Sequence, residues 1–339
     1  MLRGPIHNGL IFSFTWFPGH GLCRGRPNTG PFSEWLMGAF ADSHRAMVRM
    51  SQNIYGAFVM SGSMAFFALG DTCVKLIGTD MPLSQLLFLR GIVATACVAM
   101  LAWRMRGLTL RISRADGLLI ALRSLTEVGA AYFFLTALIH MPLANVTALL
   151  QTLPLTVTLG AALVFHEPVG WRRASAIALG LLGMVLIVQP GGAGFSAWSI
   201  YGLIAVGCVT ARDLVTRRIS GQVPSLTVAL TGVAAITIFG GVTSVGTSFV
   251  TMDAQLAGLL LAAAAFSVGA FSLSVLAMRN GDMSFTAPFR YVGLLCATIL
   301  GFVVFGEVPN ALAAIGCLIV VAAGVFTLLR ERAVKHAPA

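Results

Sequence analysis

Ten apolar runs follow one another almost without interval between residues 54 and 329 of this 339-residue chain. Each is long enough, at 1.5 Å per residue, for the ~30 Å hydrocarbon core of a bilayer. They lie at 54–77, 83–103, 116–139, 142–165, 173–189, 197–216, 225–250, 254–278, 284–305 and 311–329. An isolated strand in lipid leaves its backbone groups unpaired, so each run is expected to be a helix. The fold class is therefore all-α integral membrane with ten transmembrane helices. A charged fraction of 10%, against roughly 25% in soluble chains, agrees that lipid is the main solvent.

The formal charge of +10 does not point to nucleic acid, because the basic residues sit in short tracts between runs and not on an aromatic-interleaved surface. Arg104, Arg106, Arg111 and Arg114 follow the second run, and Arg172 and Arg173 follow the fourth. Arg217 and Arg218 close the sixth, Arg279 closes the eighth, and Arg330, Arg332 and Lys335 occupy the tail at 331–339 and its approach. The alternate side carries no Lys or Arg except Lys75. Because basic residues accumulate in cytoplasmic loops, both termini are expected in the cytoplasm of a bacterial inner membrane. Trp103, Trp171 and Trp198 fall at run ends, where indoles favour the interface.

Residues 1–50 differ, being rich in Gly, Pro and Arg, and their apolar stretch Leu10 to Phe17 is too brief to span. They read as a disordered cytoplasmic extension or as sequence ahead of a true start at Met47 or Met50, although Arg3 before the apolar stretch also fits a weak signal peptide. Six scattered cysteines, with no CxxC or His/Cys ligand spacing, read as packing thiols. No catalytic motif emerges: His166-Glu167 is not part of an HExxH, and Gly191-Gly192-Ala193-Gly194 lacks the lysine of a P-loop. Neither enzymatic chemistry, a metal nor a bound cofactor is expected.

The halves resemble each other. Phe165-His166-Glu167 and Phe305-Gly306-Glu307 are separated by 140 residues, and each precedes a proline and a helix rich in small residues. Asp71, Lys75 and Pro82 match Asp213, Arg217 and Pro224 at an offset of 142. Two repeats follow, residues 51–190 and 191–330. Five runs each is an odd number, so the second repeat enters the membrane from the opposite side, an arrangement suited to alternating access around a midplane site.

On these residues, together with Phe88-Leu89-Arg90-Gly91 and the Gly-rich Leu179-Gly180-Leu181-Leu182-Gly183, the chain resembles the drug/metabolite transporter superfamily, EamA type. The resemblance covers about residues 54–330 and implies two five-helix repeats that move amino acids, vitamins, nucleotide-like metabolites or drugs in either direction. One departure is that Arg90 maps to Gly232 in the second repeat.

Ionisable residues within the runs are costly and so are site candidates. Arg90 offers a planar fork to a carboxylate or phosphate, or a structural bond to a neighbouring helix. Arg123 and Glu127, four apart, share a helix face as an ion pair or as a proton-coupling site. Arg290 and Tyr291 align with Leu150 and Gln151. Gln151 and Tyr291 can hydrogen-bond a solute, and Tyr291, Tyr132, Phe133 and Phe134 offer stacking surface or ordinary packing. Asp71 with Lys75 and Asp213 with Arg217 are gate pairs or surface pairs. Glu167 and Glu307 are expected to cap the helices that follow them. Ala176, Gly180, Gly183, Gly316 and Ala323 permit close helix contact, between the halves or in a homodimer.

The expected function is carriage of a small organic solute, anionic or aromatic and rich in hydrogen bonds, with riboflavin uptake as the specific reading. Export of amino acids or drugs, and a membrane-embedded enzyme or scaffold, are the alternatives.

Overall fold

The computed structural model describes residues 31–104, 112–167, 169–190, 196–280 and 283–335, with side chains described over 52–104, 112–167, 169–190, 196–277 and 285–327. Arg106, Arg111, Arg279, Arg330, Arg332, Lys335, Pro168 and the Gly191 to Gly194 turn lie outside the described side chains, as do residues 1–30 of the extension. The chain divides into two compact units, Met1–Val48 and Arg49–Ala339. Of the first, only helical backbone from Pro31 is described.

The described residues of the second unit are almost entirely helical. They comprise the part of α1 (Pro31–Ile77, apolar from Gln52) that follows Val48, then α2 (Leu83–Arg104), α3 (Arg114–His140), α4 (Leu143–Leu150), α5 (Leu153–Phe165) and α6 (Trp171–Val188). The second half holds α7 (Trp198–Thr216), α8 (Ser225–Thr243), α9 (Ala254–Asn280), α10 (Met283–Thr286), a 3-10 turn (Ala287–Tyr291), α11 (Val292–Phe305) and α12 (Ala311–Lys335). Among the described residues nine stretches are long and apolar enough to cross a membrane, and Ala311–Thr327 is a shorter tenth. Large apolar side chains such as Phe58, Leu118, Leu163, Phe271 and Val303 project from the bundle. A surface of that kind is stable against acyl chains and not against water.

Three of the expected runs differ in form. The fourth and ninth are not continuous helices but break at matching places, at Gln151–Thr152 and through Ala287–Tyr291. Pro154 and Pro288 supply no N–H to the helical ladder, and neighbouring helices tolerate the gap. The seventh run stops at Thr243 instead of residue 250: Ser244 Oγ turns back on Gly240 O at 2.6 Å, and Gly246 is left-handed at φ 87°. The chain that follows is held by Gln85, which donates to Val250 O and accepts from Val250 N–H, both at 3.0 Å.

Several contacts recur when the two halves are exchanged. Helix α3 packs on α7 and α8. Its counterpart α9 packs on α2, and on α1 through Ser63 Oγ to Ala270 O (2.7 Å) and the Phe66–Phe266 and Phe67–Phe271 ring pairs. The pairs α2 with α8 and α6 with α12 map onto themselves when the halves are exchanged. Thr95 and Thr237, matched at the 142 offset, hydrogen-bond to each other at 2.9 Å. Between α6 and α12, Gly183 and Gly316 lie so close that a Cβ on either would come within 3 Å of the other's carbonyl oxygen. The small residues of these helices thus serve the contact between halves.

Candidate functional site

The two helix breaks meet. Gln151, in the turn between α4 and α5, donates its amide to Arg290 O at 2.8 Å, at the head of α11. Met64 of α1 closes the same point: a Cβ on Gly293 would lie 3.5 Å from Met64 Cβ and 3.7 Å from the Gln151 amide nitrogen. Unwound backbone at this depth leaves polar groups available that a continuous helix would consume. Arg290 is exposed here, and among the described residues it forms no salt bridge. Tyr291 turns the other way, its ring buried against Gly324 of α12, where any Cβ would collide with the phenol oxygen. The Tyr291 hydroxyl is buried without a hydrogen-bond partner among the described residues. Tyr291→Phe is therefore expected to leave the thermal unfolding temperature unchanged or slightly raised, since no bond is lost. A fall of several degrees would show that the hydroxyl has a partner.

The second centre lies between α3, α7 and α8. Arg123 Nη2 holds Glu127 Oε2 at 3.1 Å, the expected pair. Sequence spacing missed Arg212, which holds Glu127 Oε1 at 3.1 Å and Asp213 Oδ1 at 2.8 Å. Arg123 also donates to Thr216 Oγ1 and to Val228 O, both at 3.2 Å. Gly232 provides the room: a Cβ there would approach Arg123 Nη1 to 2.6 Å. The position matched to Arg90 is thus glycine because a cation from α3 already fills the space.

The third centre is its counterpart between α1, α2 and α9. Arg90 Nη2 donates to Ser267 Oγ at 2.7 Å, and Arg90 interacts electrostatically with Asp71. Among the described residues no hydrogen bond or salt bridge joins the three centres, so Arg90, Arg123, Glu127, Gln151, Arg290 and Tyr291 fall into separate groups, of which Gln151 and Arg290 meet at the helix breaks.

Both expected i,i+4 gate pairs are corrected. Lys75 pairs with Glu307 at 2.5 Å, not with Asp71, and also donates to Met141 O. Arg217 pairs with Glu167 at 3.5 Å, while Asp213 turns to Arg212. The reason is reach: at a helix end a long cation meets carboxylates of neighbouring connections as easily as those one turn back. Glu307 does not cap the helix that follows it. Its Oε2 accepts the Leu143 N–H at 2.8 Å, at the start of α4, and α12 is capped by Asn310, whose Oδ1 accepts the Ala313 N–H at 2.8 Å.

Tyr132 and Phe133 stand in a row of rings, Phe239, Tyr132, Phe133, Tyr201, Trp198 and His140, with neighbouring centroids 3.9 to 6.1 Å apart. Phe134 packs into the main core. A lateral crevice of about 380 Å³ between α5, α6 and α7 contains none of these groups. Its two hydroxyls, Thr156 and Thr210, are spent on each other at 2.8 Å, so an apolar occupant suits it better than a polar solute.

Comparison with known proteins agrees with this architecture. Residues 54–189 match the EamA-like transporter family. The chain is 27% identical to the riboflavin transporter of Rhizobium johnstonii over 61% of its own length and 68% of that protein. It is 24% identical to the pseudopaline exporter CntI of Pseudomonas aeruginosa over 76% of its own length and 90% of that protein. It is 23% identical to the S-adenosylmethionine uptake transporter of Rickettsia bellii over 56% and 65%. A crystal structure aligns with 85% of this chain and 99% of its own at a TM-score of 0.55 and 22% identity, a likeness of fold. Residues 54–189 of this chain are therefore similar to the EamA-like transporter family, within a chain whose described residues hold nine helical stretches long and apolar enough to cross a membrane.

Proposed function

We propose that the chain is a secondary transporter that carries a small organic metabolite across the bacterial inner membrane, holding it where the two broken helices cross. The observation that carries this reading is the meeting of matched breaks, with the Gln151 amide on the Arg290 carbonyl and the Arg290 guanidinium without a salt bridge among the described residues. The contacts that recur on exchange of the halves support inverted repeats that exchange roles, and the distribution of Lys and Arg supports cytoplasmic termini.

Charge accounting narrows the solute class. Asp71, Glu127 and Asp213 are engaged by Arg90, Arg123 and Arg212, so among the described residues of these centres Arg290 is a cation without an acid. A guanidinium beside unwound backbone suits a solute with carbonyl or anionic acceptors. Riboflavin fits that description and is the finer reading, supported by the riboflavin transporter among the relatives. Export is the second reading, favoured by the longer alignment with the pseudopaline exporter.

The test is purified protein in liposomes given labelled riboflavin and a metabolite panel from either side. Arg290→Ala and Gln151→Ala are expected to lower flux about tenfold or more, the loss of one charge-assisted or neutral hydrogen bond to the solute. Arg90→Ala, whose partners are Asp71 and Ser267, is expected to act through stability instead. A folded protein that moves nothing in the panel would reject the transport reading.

A further inference from the structure

We infer that the two Phe-x-Glu turns are the latches of alternating access, one at each end of the bundle, and that this structure holds the Glu307 latch shut and the Glu167 latch slack. The inference rests on the transporter reading for its purpose, but its geometry stands alone. The same parts recur at both ends: Phe305 and Phe165, Glu307 and Glu167 at an offset of 140, and the cations Lys75 and Arg217 at 142. The middle residue of each turn is left-handed, Gly306 at φ 66° and His166 at φ 54°. That backbone turns the glutamate back across the bundle end. A cation also sits on each phenylalanine ring, Lys75 at 5.1 Å from Phe305 and Arg218 at 5.0 Å from Phe165.

What differs is engagement. Lys75 and Glu307 approach to 2.5 Å with side chains only 8% and 21% exposed. Their further bonds to Met141 O and the Leu143 N–H tie the ends of α1, α3, α4 and α11 into one knot. Arg217 and Glu167 stand 3.5 Å apart and are 50% and 55% exposed. A pair half in water adds little, whereas a desolvated pair with further partners is costly to open. A symmetric machine with one end knotted and the other loose faces the loose side. On the basic-loop orientation that side is the cytoplasm, and in the opposite state Arg217 and Glu167 close while Lys75 and Glu307 part.

The measurement is access to the crossing. A cysteine-free chain carrying Met64→Cys is labelled with a membrane-impermeant maleimide in right-side-out and inside-out vesicles. The parent is expected to label faster from the cytoplasmic face, and Glu307→Gln to raise labelling from the outer face about tenfold, a shift in the ratio of the two states. Glutamine still accepts the Leu143 N–H, so a mere capping role would leave the ratio unmoved and overturn the inference. Faster outer-face labelling of the parent would also overturn it. Should Glu307→Gln fail to fold, the pair Lys75→Cys with Glu307→Cys replaces it. Oxidation is expected to stop flux while cytoplasmic labelling persists, and reductant to restore flux; an oxidised protein that still cycles overturns the latch. A chain that shows the labelling shift yet moves no solute supports the latches and counts against the transport reading alone.

Discussion

Glu127→Ala is expected to lower stability by about 3 kcal/mol and to abolish flux. The carboxylate is the meeting point of Arg123 and Arg212, each at 3.1 Å, and three of the four charges in this centre are more than two-thirds buried. Without it two guanidiniums face each other with only Asp213, among the described residues, to balance them inside a membrane-length bundle. Removing one partner of a buried pair is far more damaging than removing both, because the orphan charge keeps its desolvation cost. The double change Arg123→Leu with Glu127→Leu leaves Arg212 on Asp213 and is therefore expected to recover stability to within about 1 kcal/mol of the parent. Thermal unfolding in detergent checks both, and flux through the double variant separates the roles. Recovered stability without recovered flux assigns the centre to transport, whereas a single variant as stable as the parent shows that the ion network bears no structural weight.

The ten spans were legible because solvent dictates them: a run that must hide its backbone in lipid has one solution, and Gln52–Ile77 through Ala311–Thr327 follow it. The breaks were not, although Pro154 and Pro288 stood in view. An apolar run reads the same whether or not one residue within it lacks an N–H, and only their matched position in two halves marks them as functional. Spacing along one helix was sound for Arg123 and Glu127, whose partners lie on the same face. It failed for Lys75 and Arg217 because those cations sit at helix ends, where the contacts are made by other connections. Arg212 escaped for a related reason. Its neighbour Asp213 was assigned to Arg217 by the four-residue rule, so the deeper arginine was left without an obvious role. The glycines and alanines of α6 and α12 signalled close approach correctly, but only the packing distinguishes contact between halves from contact between copies.

That contact yields the largest packing effect expected of any small substitution. A Cβ on Gly316 would stand 2.6 Å from Gly183 O and 3.1 Å from Ile187 N, both backbone atoms that cannot swing aside. Gly316→Ala is expected to cost about 2 kcal/mol as the helices are forced apart, and Gly316→Leu to leave little folded protein. Gly180→Ala is milder, because the atom it meets first is the end of the Leu155 side chain, which can change rotamer. Gly117 and Gly258 have nothing within 4 Å of a built Cβ, so alanine there is expected to gain up to about 1 kcal/mol of helix stability. Thermal unfolding of the four alanine variants ranks them, and a Gly316→Ala protein that melts with Gly117→Ala would mean the crossing is not close-packed. Because α6 and α12 come one from each half, loosening them separates the halves before it unwinds any helix. Helical circular dichroism is therefore expected to outlast the loss of a single cooperative transition in the Gly316 variants, and to fall together with it in Glu127→Ala, where charge is stranded between α3, α7 and α8.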